Sequence, residues 1–294
     1  MQAARETTRC KGCAGTRKNE RGMNAMKNWQ TSLTGLITAV LLSAAPANAD
    51  TLRVGMECTY APFNYRTSDG KLEGYDVDVA KGISEIIGVD FEYVCQEWDG
   101  MIPALLANKF DLIIASMSIT DKRKEQIDFS SPYRNSVGRI VGPVGKDLKL
   151  FDDKGQPIVG NFDGLRIGVE RASTYFEWFS AKLPKADLVL YDSNEAMYLD
   201  LKNGRVDVIM TNPMKAHLSF LSGEGKGKYE FIGPEVNEPK FFGPGVGVGL
   251  RKGNDELRDK ISAAIRKLIR EGKLKEYALK IFPFQIHDDA WAEE

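Results

Sequence analysis

Arg123 closes a run, ASMSITDKR over 115–123, whose residue types suit an anion. A guanidinium presents a planar fork that grips a carboxylate through two parallel hydrogen bonds. Ser116 and Ser118 offer hydroxyls and backbone amides just upstream. A second anion-friendly stretch, Arg171-Ala-Ser-Thr174, runs from a strand pattern into a helix start, where free backbone amides favour negative charge. Ser173 or Thr174 there is equally suited to be an ordinary helix cap. Glu57, in ECTYAPFNY over 57–65, has the opposite chemistry: it either faces solvent or supplies a carboxylate to a cation. Tyr60 and Trp98 offer aromatic walls, on which cations stack with about 0.5–2 kcal/mol, although either ring is also at home in a core. No Ser-His-Asp, Cys-His or metal-ligand set is visible, and His217 and His287 fall on an expected helix and on the tail. The reading therefore includes no catalytic residue, no metal and no cofactor.

These groups meet only if strands and helices deliver them to one place. Periodicity predicts a strand over 52–56, a helix over 76–87 ended by Gly88, a strand over 90–95, a helix over 100–107 and a strand over 111–115. Such βαβαβ order implies a parallel sheet covered by helices. After a less regular middle the pattern restarts with strands over 165–169, 187–190 and 207–210 and helices over 174–182, 193–203 and 213–221. A strand over 245–250 and amphipathic helices across 255–281 close the chain. The fold class is α/β with two lobes. The segments 108–114 (NKFDLII) and 203–210 (NGRVDVIM) echo each other, as if the same architectural step occurred once per lobe. Ligands in open α/β sheets bind beyond the carboxyl ends of the strands, so two facing lobes place a pocket between them.

The first 49 residues read differently. The run LTGLITAVLL over 33–42 is apolar, Lys27 precedes it and Ala47-Asn48-Ala49 follows, the three parts of a secretory signal cleaved after about Ala49. The apolar run falls short of the ~20 residues that span a bilayer. Met23 and Met26 are both possible true starts, and Cys10 and Cys13 ahead of them make only a weak metal or redox motif. The whole chain of 294 residues is nearly neutral, with 40 basic and 41 acidic residues. Without residues 1–49 it carries 33 basic and 39 acidic residues, which argues against a nucleic-acid partner. Only Cys58 and Cys95 then remain; an exported chain meets an oxidising compartment, and the two lie at the ends of neighbouring expected strands. A disulfide and two free buried thiols are the alternatives.

Several of these segments resemble the family-3 extracellular solute-binding proteins, the periplasmic polar amino-acid receptors of ABC importers. The resemblance rests on the Tyr-Ala-Pro-Phe loop, GYDVDVA over 74–80, WDGMIP over 98–103, SMSITDKR over 116–123, IDFS over 127–130 and GRVD over 204–207, and it extends over about 51–285. It implies the periplasmic-binding-protein-like type II fold, with two lobes joined by crossovers near 134–139 and 235–242 that close on an amino acid. The corresponding division is 1–49 leader and signal peptide, 50–136 first lobe, 137–238 second lobe, and 239–294 return to the first lobe with the C-terminal helices. By the same resemblance Arg123, Ser118 and Thr174 bind the α-carboxylate, Tyr60 and Trp98 sandwich the side chain, and Glu57 meets a distal cation. The implied partners are a basic amino acid and an inner-membrane ABC permease, for a monomeric protein of the periplasm.

Two departures bear on the ligand. Such receptors usually place Asp where this chain has Asn212, which forfeits a charge–charge interaction with the α-ammonium but is expected still to accept a hydrogen bond. Glu170 and Arg171 replace uncharged residues at a contact loop and suit a second charged group on the ligand. Opine receptors of the family resemble this chain in Glu57, Trp98 and Asn212, so a basic amino acid and an opine are the two ligand readings, the former slightly ahead because it is commoner. A cyclohexadienyl dehydratase-like enzyme on the same scaffold is the alternative from another class, and a chemosensory role is an alternative to transport.

Overall fold

The computed structural model describes residues 51–146 and 148–293; the expected signal segment, its cleavage point, the alternative starts and the Cys10/Cys13 pair lie outside these. The chain opens with β1 (Thr51–Met56) and a small hairpin sheet of β2 (Thr59–Tyr60), β3 (Asn64–Arg66) and β4 (Leu72–Glu73). There follow α1 (Tyr75–Ile87), β5 (Asp90–Cys95), α2 (Met101–Leu106), β6 (Leu112–Ile113), α3 (Asp121–Lys124) and β7 (Asp128–Arg134). Next come β8 (Gly138–Pro143), β9 (Arg166–Glu170), α4 (Thr174–Lys182), β10 (Asp187–Tyr191), α5 (Asn194–Lys202), β11 (Val208–Thr211), α6 (Pro213–Ala216) and β12 (Tyr229–Val236). The last elements are α7 (Pro239–Phe242), β13 (Val246–Leu250), α8 (Asp255–Arg270) and α9 (Lys273–Leu279).

Two five-stranded sheets, ordered β5-β1-β6-β13-β7 and β10-β9-β11-β8-β12, form the two lobes. In each, three parallel strands adjoin an antiparallel one, β13 in the first sheet and β8 in the second. That fourth strand is the one delivered from the other lobe. The chain leaves the first sheet between Arg134 and Gly138 and returns between Val236 and Val246. Phe241 and Phe242 of α7 pack in the second lobe's core, and β13 lies in the first sheet.

The parallel strands are legible because both faces of each sheet are covered, which demands near-continuous apolar runs. Val54, Met56, Val77 and Ile83 pack with Ile265 and Leu268 of α8 on one face of the first sheet, while Met101, Leu105, Phe110 and Ile113 cover the other. Phe162, Trp178 and Phe179 cover one face of the second sheet, and Met197, Tyr198 and Phe220 the other. The two echoing segments perform one step twice. Asp111 accepts bonds from the Arg53 backbone amide and guanidinium, and Asp207 does the same for Arg166, so in each lobe the first and third parallel strands are clamped at their starts. Cys58 and Cys95 form a disulfide that joins the carboxyl ends of β1 and β5. The free-thiol alternative is thereby set aside.

Candidate functional site

The carboxyl ends of the parallel strands of both sheets face one small cavity of about 30 Å³. From the first lobe Glu57, Tyr60, Trp98, Ser116, Ser118 and Arg123 line it, and from the second Glu170, Thr174 and Asn212 do. All nine residues singled out from the sequence thus surround a single space. Arg134, Ser136, Val137 and Tyr175 line it as well and were not assigned to the site from sequence. Arg134 and Ser136 sit where the chain leaves the first lobe, and Tyr175 directly follows Thr174; adjacency to those two landmarks was the available signal.

Arg123 lies in the short α3, whose cap, Thr120, accepts from the Arg123 backbone amide. Its guanidinium donates to the Ser118 carbonyl at 3.0 Å and, across the cleft, to the Ala172 carbonyl of the second lobe at 3.1 Å. It also lies 5.2 Å from the Trp98 ring centroid. Burial lowers the guanidinium to about 10, with Glu177 and Tyr175 opposing that shift, so it stays charged at neutral pH. Trp98 therefore stacks with a protein cation as well as facing the cavity, and its buried Nε1 has no partner among the described residues. The Ser118 and Ser136 hydroxyls share a 2.6 Å hydrogen bond. Ser173 is the cap of α4, accepting from the Phe176 amide, which leaves Thr174 as a cavity residue at the helix start.

Ser116 departs from its expected part. Its amide donates to the Tyr133 hydroxyl, and its own hydroxyl donates to Asp76 at 2.8 Å and accepts from Arg134 Nε at 3.2 Å. Both groups are thus engaged in the cavity wall, and the hydroxyl keeps one acceptor position. The hub of that wall is Asp76, fully buried in the first turn of α1, which accepts from Asn64 Nδ2, Ser116 and Tyr133. Asn64 Oδ1 in turn accepts from the Glu57 and Cys58 amides, so Asp76 ties the Glu57 loop, the Ser116 loop and the end of β7 together.

The acidic end of the cavity holds Glu57 and Glu170. Burial pushes Glu57 up to about 7; Lys215 and a bond from Thr59 pull it back, while Glu195 and Glu97 push it further. Glu170 is raised well above the carboxylate range, first by burial and then by Glu57, and it accepts from Asn194. Two carboxyls in one dry space resist double ionisation, so a cation placed between them is favoured. Asn212 also departs from its expected part: its Oδ1 already accepts from the Met214 and Lys215 amides as the cap of α6, leaving the amide donor for a ligand. The expected helix over 213–221 is α-helical only as far as Ala216 and continues as a π-helical turn, His217–Leu221.

Comparison with known proteins shows what the chain as a whole is similar to. The L-arginine-binding protein of Pseudomonas aeruginosa is 38% identical over 259 residues, 87% of this chain and 97% of that protein. The lysine/arginine/ornithine-binding periplasmic protein of Escherichia coli K12 is 32% identical over 87% of this chain and 96% of that protein. Among solved structures, an ancestral arginine-binding protein bound to arginine superposes with a TM-score of 0.70 at 33% identity, over 79% of this chain and 98% of that one. A Salmonella typhimurium periplasmic binding protein of high arginine specificity gives 0.70 at 29% identity, over 80% of this chain and all of that one. The family model of the bacterial extracellular solute-binding proteins, family 3, matches residues 52–284. A two-lobed α/β chain that matches this family over most of its length belongs to the bacterial extracellular solute-binding proteins of family 3.

Proposed function

We propose that this protein is the periplasmic binding component of an ABC importer for a basic amino acid, with arginine the leading ligand. The observation that carries the reading is the pairing, in one cavity, of a buried guanidinium with two buried carboxylates at the other end. Arg123 with Ser118 and Thr174 takes the α-carboxylate, and Glu57 and Glu170 take the side-chain cation. Tyr60 and Trp98 flank the aliphatic stem. Arg123 reaching the Ala172 carbonyl joins ligand capture to closure of the lobes, and the closed form then docks on the permease. The basic relatives, whose names specify arginine, lysine and ornithine, support the choice of ligand class. The protein acts as a monomer without cofactor or nucleic acid, as a binder rather than an enzyme, after export and removal of residues 1–49.

The opine reading keeps one specific support: the committed oxygen of Asn212 leaves a donor where an α-ammonium would want an acceptor, which suits an additional carboxylate. Calorimetric titration with arginine, ornithine, lysine, histidine, octopine and nopaline separates the two. Micromolar or tighter binding of arginine with weak octopine binding is expected; the reverse order selects the opine, and silence across the panel refutes both. Turnover of prephenate or arogenate would instead make the protein an enzyme. N-terminal sequencing of the exported protein tests cleavage at Ala49.

A further inference from the structure

Arg134 is the last residue of β7, where the chain leaves the first lobe, and it is only 2% exposed yet lines the cavity. Its guanidinium donates through Nε to the Ser116 hydroxyl at 3.2 Å and through Nη1 to the Asn135 carbonyl at 2.7 Å, and it lies 4.3 Å from the Phe63 ring centroid. Among the described residues it forms no ion pair, and its Nη2 donates to none of them. Asp76 is reached through the Ser116 hydroxyl rather than directly. A guanidinium cannot shed its proton, so burial leaves Arg134 with a charge that its neutral partners satisfy only in part. Arg134 and Arg123 hold the same short segment of the wall: Arg123 bonds the Ser118 carbonyl and Arg134 the Ser116 hydroxyl. Ser136, two residues beyond Arg134, shares its hydrogen bond with the Ser118 hydroxyl.

We propose that Arg134 is a second carboxylate-binding residue: together with Arg123 it holds the anionic end of the ligand, supplying from Nη2 a donor that no protein group uses. This rests on the amino-acid-binding reading above. A carboxylate accepts several hydrogen bonds at once and takes its strongest ones from charged donors, so a second guanidinium tightens its capture. A guanidinium that only braced the wall through Ser116 and Phe63 would serve every ligand alike, whereas one that meets the carboxylate serves only ligands that carry it. The ratio of affinities for arginine and for argininamide, which has a neutral carboxamide in place of the α-carboxylate, isolates the second role.

Titrating wild type, Arg134→Gln and Arg134→Lys with arginine and with argininamide at one pH tests the assignment; differences between the two ligands themselves cancel when the ratio is compared between variants. Glutamine removes the charge and keeps a side-chain donor, while lysine keeps the charge and loses the planar fork. The arginine-to-argininamide ratio should fall about tenfold in Arg134→Gln, the size of one hydrogen bond between charged groups, and about threefold in Arg134→Lys. An unchanged ratio in Arg134→Gln, with both ligands weakened alike, confines Arg134 to the wall and overturns the proposal while leaving the basic-ligand reading intact. Urea unfolding checks that each variant folds; should Arg134→Gln fail to fold, Arg134→Lys decides, and a ratio there equal to that of wild type overturns the proposal. Wild type that binds argininamide as tightly as arginine has no carboxylate at either guanidinium, and failure to bind arginine at all overturns the basic-ligand reading too.

Discussion

Glu57 stands between two environments, lining the inner cavity and also the wider cleft outside it. Because burial lifts its carboxyl to about 7, it is mostly protonated at pH 6 and mostly ionised at pH 8. Only the ionised form attracts a cation strongly. If arginine pairs with it, affinity should therefore rise about tenfold from pH 6 to pH 8, the ratio of ionised fractions about a midpoint near 7. Glu57→Gln should flatten this profile and selectively weaken arginine, ornithine and lysine; titrations at three pH values read both effects, and a flat wild-type profile would dismiss the pairing. In the proposed binding mode Arg123 acts on every ligand instead. Arg123→Ala removes a buried charged donor from the α-carboxylate together with the bond across the cleft to Ala172, and should cost roughly 3 kcal/mol, about 150-fold, for arginine and citrulline alike. A loss confined to one of the two would show that the carboxylate sits elsewhere.

At the scale of elements, helix starts and strand ends set these side chains. Asp76, in the first turn of α1, holds three donors from three separate segments, so Asp76→Ala strands buried donors in the wall and should lower unfolding stability by at least about 3 kcal/mol, read in urea. A drop below about 1 kcal/mol would mean the wall is held by other contacts. Asn212 drew attention as the residue beyond a strand's carboxyl end and by the family resemblance, and in the fold its oxygen also starts the short α6. Much of this was legible beforehand. The parallel strands carry short apolar runs and α1 and α8 strong helical patterns, and the residues at the strand ends gather round one cavity because strand carboxyl ends converge there. Of the antiparallel strands of the two five-stranded sheets, β13 was legible as the expected strand over 245–250 and the others were not. β7 (DFSSPYR), β8 (GRIVGP) and β12 (YEFIGPEV) contain Pro and Gly that depress strand signals, and their partners come from distant segments. Arg134 was illegible for a related reason: it is the last residue of β7.

For the whole molecule, the cavity stores an electrostatic cost that the ligand relieves. In the unfolded chain Glu57 titrates near its ordinary value of 4.5, and in the folded protein near 7. A carboxyl raised on folding contributes stability that is fully present below the unfolded value and is lost as pH rises through the folded one. Wild type should therefore lose stability relative to Glu57→Gln between pH 4.5 and 8, by up to about 3 kcal/mol for a shift of this size. The clamps around Asp111 and Asp207 lie outside this window, since their carboxyls are lowered and titrate in more acidic solution. Arginine reverses the trend, because its cation restores the ionised form and because any ligand of the closed lobes stabilises them by mass action, about 2.7 kcal/mol at a hundred times its dissociation constant. Urea unfolding of both proteins at pH 5 and pH 8, with and without arginine, reads all these differences together. The stabilisation by arginine should be larger at pH 8 than at pH 5 in wild type and equal at the two pH values in Glu57→Gln. Equal stabilisation in wild type would separate lobe closure from the charge of Glu57 and move the cation to another part of the cleft.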